Sequence, residues 1–352
     1  MLNNPIHCSF DFLKDFLTHE SRKESFIPSD EEVQRHANWG CFQGFLLHNT
    51  LSVKESREEI SDSIRQSSSS TLEKEMASRV LDSLGPIYKT VFKQNYCDPL
   101  HTKAGAIQLQ SCFSIEEENY SKLAGVLSLT PDEAIERVEL YTDSGVALSK
   151  KDDTSWEEIV QACLPYKRFS SLIIIDNYAP KGGERNLGQL LNNLLPDDID
   201  KNTRFNLTIV CNGKSNDGTP VYLDHNAELA LTETNILNHY LRDLPYRDRI
   251  DIALVYSDYY GKSPFHDRVI ITDYNFVIAP GGLDLLYEDG TSSKLTIIYG
   301  LFPDFIQQSQ RKTPENMVKV DYMYRNLNVL VNRFRMTKAM NNPIVRQYLN
   351  TL

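Results

Sequence analysis

The sequence predicts an α/β protein: a sheet with flanking helices in the second half of the chain, preceded by an α-helical N-terminal domain. Three observations carry this expectation. Between residues 171 and 256, apolar β-branched runs alternate with helical segments, the pattern of a largely parallel sheet with helices packed on it. Two short apolar runs, 269–271 and 276–279, flank the polar Asp273-Tyr274-Asn275 and read as a hairpin. Helix start signals recur at sensible intervals through the first 150 residues.

Composition bounds the rest. A chain of 352 residues exceeds a typical single domain and predicts about two. The polar Lys150-Lys151-Asp152-Asp153 marks the boundary, giving an accessory or interaction domain over 1–150 and an α/β domain over 154–352. Hydrophobic residues make up 41%, enough for ordinary cores. A net charge of −11 and a pI near 5.3 argue against indiscriminate coating of nucleic acid or anionic membrane, while leaving room for one basic face. Six cysteines, at 8, 41, 97, 112, 163 and 211, are scattered without a C-x-x-C pair. They read as reduced thiols of a cytoplasmic protein, with no metal site or cofactor implied. The N-terminus has no basic leader, and no segment reaches the ~20 apolar residues of a membrane span.

In chain order, Ser29 with Glu32 forms a capping box ahead of Val33, His36, Trp39, Phe42, Phe45 and Leu46, which share helical spacing. Gly40 and Gly44 weaken that pattern, and His36 is expected to be a core or boundary histidine rather than a ligand. Ser56 with Glu59 opens a second, charged helix, and 67–70 reads as a loop. The stripe Leu72, Met76, Val80, Leu84, Tyr88 and Val91 predicts a helix running to about residue 93, with Gly85-Pro86 as a kink or break. Thr130-Pro131-Asp132-Glu133 is a further helix start. Thr154 with Glu157 caps a short helix through Cys163. Strands are expected at 171–176, 205–211 and 250–256, and helices at 186–195 and 229–241. The partner of the N-terminal domain is not named by its sequence.

Candidate chemistry gathers around the hairpin. His266 and Arg268 are two apart at the start of a strand, so both project from one face. Gly281-Gly282 follows the second strand, where bare backbone N–H groups can approach an anion. Asp176, Asn177 and Tyr178 leave the first strand at its carboxyl end, where open α/β sheets place their ligands. The plainer reading gives Asp176 a buried ion pair, and has His266 bond a loop while Asp267 pairs with Arg268. Lys181-Gly182-Gly183 lacks the order of a P-loop.

The run His266-x-Arg268-x4-Asp273, with Gly281-Gly282 after it, resembles the H-x-K-x4-D…G-S signature of the phospholipase D superfamily. Within it, the likeness is to the phospholipase D-like C-terminal domain of MIT-domain proteins, which also carries His-Asp-Arg and Gly-Leu-Asp runs, here Gly282-Leu283-Asp284. The strand leading to Asp176-Asn177-Tyr178 extends the likeness over roughly 166–300. It implies a phosphate site, with His266 as the catalytic position and Arg268, Asp273, Gly281 and Gly282 around the phosphate. The superfamily's Lys is Arg268 here and its Ser is Gly282, and there is no second motif. Catalysis in that family takes two histidines, so hydrolysis would require a homodimer that presents two copies of His266. Otherwise the fold serves phosphate binding alone.

From 311 to 346 the chain turns basic, with eight Lys or Arg against two acids and several aromatics between them. Arg325, Arg333, Arg335 and Lys338 suit a nucleic-acid backbone or an anionic phospholipid surface. Val320, Met323, Leu327, Leu330 and Phe334 also recur at helical spacing, which would make the same stretch an amphipathic helix with a solvated basic face. The sequence thus leads to a phosphate-recognising protein with nucleic acid as its expected ligand, in a cytosolic defence or regulatory assembly. A metal-independent phosphodiesterase and an anionic-lipid or scaffold module are the alternatives.

Overall fold

The computed structural model of the chain describes residues 6–18, 29–93, 112–115, 126–129, 134–135, 146–148, 169–177, 187–199, 204–214, 218–224, 227–258, 265, 268–272, 275–279, 296–300, 325–335 and 337–349. Two main sheets organise them. The first half is not all-helical, as the sequence had suggested. It holds a five-stranded parallel sheet of β1 (Ile6–Cys8), β2 (Leu51–Val53), β3 (Thr90–Phe92), β4 (Cys112–Ile115) and β5 (Val126–Leu129). Their order is 3-2-1-4-5, the doubly wound arrangement whose direction reverses between β1 and β4. These strands escape pattern reading because each has only three or four residues, and β1 and β2 are buried at every position.

Helices α1 (Phe10–Thr18), α2 (Asp30–His48), α3 (Arg57–Gln66) and α4 (Thr71–Ser83) accompany that sheet. The expected capping boxes at Ser29 and Ser56 form, and Ser70, read as loop, makes a third with Glu73. Helix α4 stops at 83 rather than near 93. Gly85 then adopts a left-handed φ of 107°, which favours glycine and turns the chain, so Val91 ends in a strand. Both α2 glycines are accommodated within the helix. Phe42, Phe45 and Leu46 are buried, but Val33 and His36 are exposed, because only the C-terminal half of α2 meets the core. There Phe42 packs edge-on to Phe12 and Phe16, and Trp39 stacks on Phe16. Residues 134–135 are helical; the start signal at 130–133 and the capped segment 154–163 lie outside the described residues.

The second sheet has seven strands, which lie side by side in the order 250–256, 205–211, 171–175, 268–272, 275–279, 296–300 and 146–148. Strands β7 (Ser171–Ile175), β8 (Phe205–Cys211) and β11 (Ile250–Tyr256) fall where the sequence places them and are parallel. The sheet as a whole is mixed rather than largely parallel. The hairpin β12 (Arg268–Thr272) and β13 (Asn275–Ala279), then β14 (Thr296–Gly300) and β6 (Val146–Leu148), continue it antiparallel. A hairpin reverses direction at once, whereas a parallel neighbour needs a long crossover. Strand β6 precedes the polar run at 150–153 and yet belongs to this sheet.

Every residue of β7 and β8 is buried because helices cover both faces. On one face α5 (Leu187–Leu194) presents Leu187, Leu190, Leu191 and Leu194, grouped with Leu172, Ile174, Leu207 and Ile209. On that side a small hairpin, β9 (Tyr222–Asp224) and β10 (Ala227–Ala230), takes the residues expected to begin a helix at 229. Thr232 instead caps a helix α6 over 233–240, which widens to π geometry at Ile236–Tyr240. On the other face α7 (325–333) and α8 (Pro343–Leu349) bury Leu327, Leu330, Val331, Ile344 and Val345 with Ile173, Ile175 and Val210. The amphipathic reading of the basic stretch is therefore the one that α7 follows, and Arg325, Arg333, Arg335 and Lys338 are exposed. Among the described residues no helix is long and apolar enough to cross a membrane.

Candidate functional site

The parallel strands β7, β8 and β11 end side by side, and each is followed by polar residues: Asp176-Asn177, Asn212-Gly213-Lys214 and Ser257-Asp258. Because β12 runs antiparallel to β7, with Val269 opposite Ile175, its first residue arrives at the same edge. Arg268 thus stands beside Asp176. Its Nε lies 3.7 Å from the Asp176 carboxylate, with the Arg side chain 24% exposed and the Asp side chain 4%. A carboxylate this deep is costly without compensation, and the adjoining guanidinium supplies it. The pair holds a cation at the rim of the sheet, facing partly to solvent.

Backbone and side-chain bonds brace this edge. The Asp176 N–H donates to the Val210 carbonyl (2.9 Å) and the Ser257 N–H to that of Cys211 (2.8 Å), extending the ladders past the strands. The Ser257 hydroxyl lies 2.7 Å from Asn177 Oδ1 and 2.9 Å from Asn212 Oδ1, so its one proton is shared between two neighbouring strand ends. Asn177 Nδ2 then donates to the Phe265 carbonyl (3.1 Å), and the Phe265 ring stacks on Phe334 of the C-terminal segment. Phe265 is therefore clamped at both backbone and ring, three residues before Arg268. The Asp258 carboxylate accepts from the Gly213 N–H (2.8 Å) and the Lys214 N–H (3.0 Å), closing the turn that leaves β8.

Two neighbours are fixed in neutral form. Burial, followed by the charges of Asp176 and Asp258, pushes the Cys211 thiol well above its ordinary value, which makes it a core thiol rather than a nucleophile. Burial first, then Cys211 and Glu233, pushes the Tyr256 phenol up to about 12, and its hydroxyl donates to the Leu231 carbonyl. Among the described residues no group of three or more His, Cys, Asp or Glu side chains is placed to hold a metal ion.

Of the residues singled out from sequence, Asp176 and Arg268 come together as an ion pair. Tyr178, His266, Asp267, Asp273, Gly281 and Gly282 lie outside the described residues. Arg325, Arg333 and Arg335 are exposed on and just after α7, while Lys338 is paired with Glu233. Sequence reasoning passed over Asn212, Ser257, Asp258 and Phe265. The signal was there: Asn212 and Ser257 each directly follow an expected parallel strand, and Asp258 comes next. Comparison of the sequence with protein-family models gives no match, and none of the curated proteins compared with it is similar.

Proposed function

We propose that the carboxyl edge of the seven-stranded sheet is a phosphate-recognising site of a degenerate phospholipase D-like domain that binds nucleic acid in a cytoplasmic defence or regulatory assembly. The observation that carries this reading is Arg268, held against the buried Asp176 at the rim where β7 ends and β12 begins. Ligands of α/β sheets bind outside the carboxyl ends of the strands. A guanidinium is the side chain best matched to a phosphodiester, because its planar fork bonds two oxygens at once and stays charged at any physiological pH. His266, Asp273, Gly281 and Gly282 complete the proposed site from the sequence motif that surrounds Arg268. Exposed Arg325, Arg333 and Arg335 supply further positive charge for a polyanion on an otherwise acidic chain.

The test is binding of single- and double-stranded nucleic acid as a function of salt. Affinity is expected to fall steeply with ionic strength, and Arg268→Ala to weaken binding about tenfold or more while Arg268→Lys retains part of it. Each of Arg333→Ala and Arg335→Ala should lower the salt slope by roughly one. No binding to either polymer at low salt overturns the nucleic-acid reading. Capture instead by vesicles rich in anionic phospholipid would assign the same phosphate chemistry to a headgroup. Cleavage that persists in EDTA and disappears in His266→Ala would identify a phosphodiesterase; a homodimer would then be needed to supply the second histidine.

A further inference from the structure

A concave feature lies toward the amino ends of the same strands, away from the proposed phosphate site. Among the described residues strand β11 is an edge of the seven-stranded sheet, and its residues Ile250–Ala253 form part of a groove of about 490 Å³. Edge strands present outward N–H and C=O groups that can pair with another chain. On β11 the alternation is fixed by two bonds: Ser257 donates inward to Cys211 of β8, whereas Leu254 donates outward to the Glu233 carboxylate (3.3 Å). A period of two then turns the N–H and C=O of Ile252 outward, into the groove.

The Glu233 carboxylate therefore stands where a neighbouring strand would offer a carbonyl, and Lys338 holds it there. The groove beyond has unlike walls. Leu237 of α6, with Ile250 and Ile252, makes one side apolar. Thr208, Asn341 and Asn342 make the other side amide and hydroxyl, with Asn342 Nδ2 donating to Thr208 Oγ1 (3.1 Å). An extended peptide places successive side chains on opposite faces, so one laid along β11 meets these walls alternately. The edge is recessed between α6 and the 338–342 turn, and an identical recessed edge cannot reach it, which disfavours a second copy of this chain. The groove's lysine, Lys338, is paired with Glu233, and Asp251 is paired with Arg204, so the lining offers a polyanion no excess positive charge.

We propose that this groove binds an extended segment of a partner protein by strand addition to β11. The segment matches Ile250–Ala253 in length, about four residues, and alternates apolar with amide or hydroxyl side chains. Its backbone pairs with Ile252 and takes over, or stops short of, the position of the Glu233 carboxylate.

Selection of a displayed library of random heptapeptides on the full chain tests this. Enriched peptides are expected to alternate apolar and small polar residues. In a synthetic copy of the strongest binder, N-methylation of alternate backbone nitrogens should weaken binding at least tenfold with every side chain retained. The same peptide should slow hydrogen exchange of the Ile252 amide at least tenfold. Ile252→Pro, which removes the outward N–H, should lose the peptide; the N-methyl series reads the same contact without altering the protein. Failure to enrich any peptide, affinity indifferent to N-methylation, or unchanged exchange at Ile252 would each overturn the proposal. Arg268→Ala should leave peptide binding intact, so the groove and the phosphate site stand or fall separately.

Discussion

Asn177 uses both ends of its amide, accepting from the Ser257 hydroxyl and donating to the Phe265 carbonyl, and so ties three chain segments at one edge. Replacing it with leucine removes both bonds, taking away the amide donor of the Phe265 carbonyl while the Ser257 hydroxyl keeps Asn212 Oδ1. Asn177→Leu should therefore cost about 1–3 kcal/mol in a denaturant titration, and Ser257→Ala about 1 kcal/mol. A loss under a few tenths for Asn177→Leu would mean that the edge is not braced through this side chain. Gly213 is constrained differently, since a Cβ there would lie 2.7 Å from the Tyr256 ring. Gly213→Ala should push that ring aside and loosen its hydroxyl from Leu231. Tyr256 itself predicts an alkaline limit. Its phenol titrates ordinarily near 10 and in the folded chain at about 12, so the neutral form is the one folding favours. Its contribution is complete below pH 10 and is lost as the pH rises through 12. Tyr256→Phe should flatten that alkaline decline, at a cost of about 1 kcal/mol at neutral pH for the missing hydrogen bond.

The three capping boxes give the N-terminal helices defined starts, and the one at Ser70 can be isolated because its partners are exposed. Ser70→Ala removes the acceptor for the Glu73 N–H and should cost about 1 kcal/mol. Hydrogen bonding to the Ser70 backbone and hydroxyl lowers the Glu73 pKa from its usual 4.5, so the cap is at full strength above that value. As the pH falls below 4.5 the carboxylate protonates and the contribution fades; Glu73→Gln should show less of this acid dependence. Calorimetry from pH 7 to 3 measures both effects. The caps at Ser29 and Ser56 were legible in the sequence, unlike that at Ser70, as were β7, β8, β11 and the β12–β13 hairpin, because runs of five to seven residues rich in β-branched and aromatic types admit few other states. The five-stranded sheet was not. Ile6–Cys8 and Leu51–Val53 are too short to show a period, and their identity comes from parallel pairing across about forty residues of chain. The Arg268–Asp176 contact was half legible: both residues could be picked out as strand-end groups, but their meeting depends on β12 lying antiparallel to β7.

At the level of the folded chain, β6 decides where the second unit begins. Val146–Leu148 pairs antiparallel with Thr296–Ile298 of β14, so it closes an edge of the seven-stranded sheet although it precedes the polar run at 150–153. A chain cut at residue 154 would keep six of those seven strands and leave β14 with an open edge. That edge carries Thr296-Ile-Ile-Tyr299, an apolar β-branched run of the type that pairs with other chains when exposed. A fragment spanning 154–352 should therefore aggregate and melt lower than one spanning 140–352. Adding the missing strand as a synthetic peptide should recover part of the difference. Equal solubility and equal Tm for the two fragments would show that β6 contributes nothing to the sheet. The five-stranded sheet raises a separate question about the same cut. Its buried residues, among them Leu13, Phe42 and Leu51, form one contiguous cluster with Leu172, Leu190 and Leu207 of the second sheet. Cooperative units follow buried contacts, so the intact chain should unfold in one transition, with ellipticity and tyrosine absorbance changing together. Two separated transitions would instead mean that the apolar contact between the sheets is too weak to couple them, and the 140–352 fragment would then melt at the temperature of one of the two.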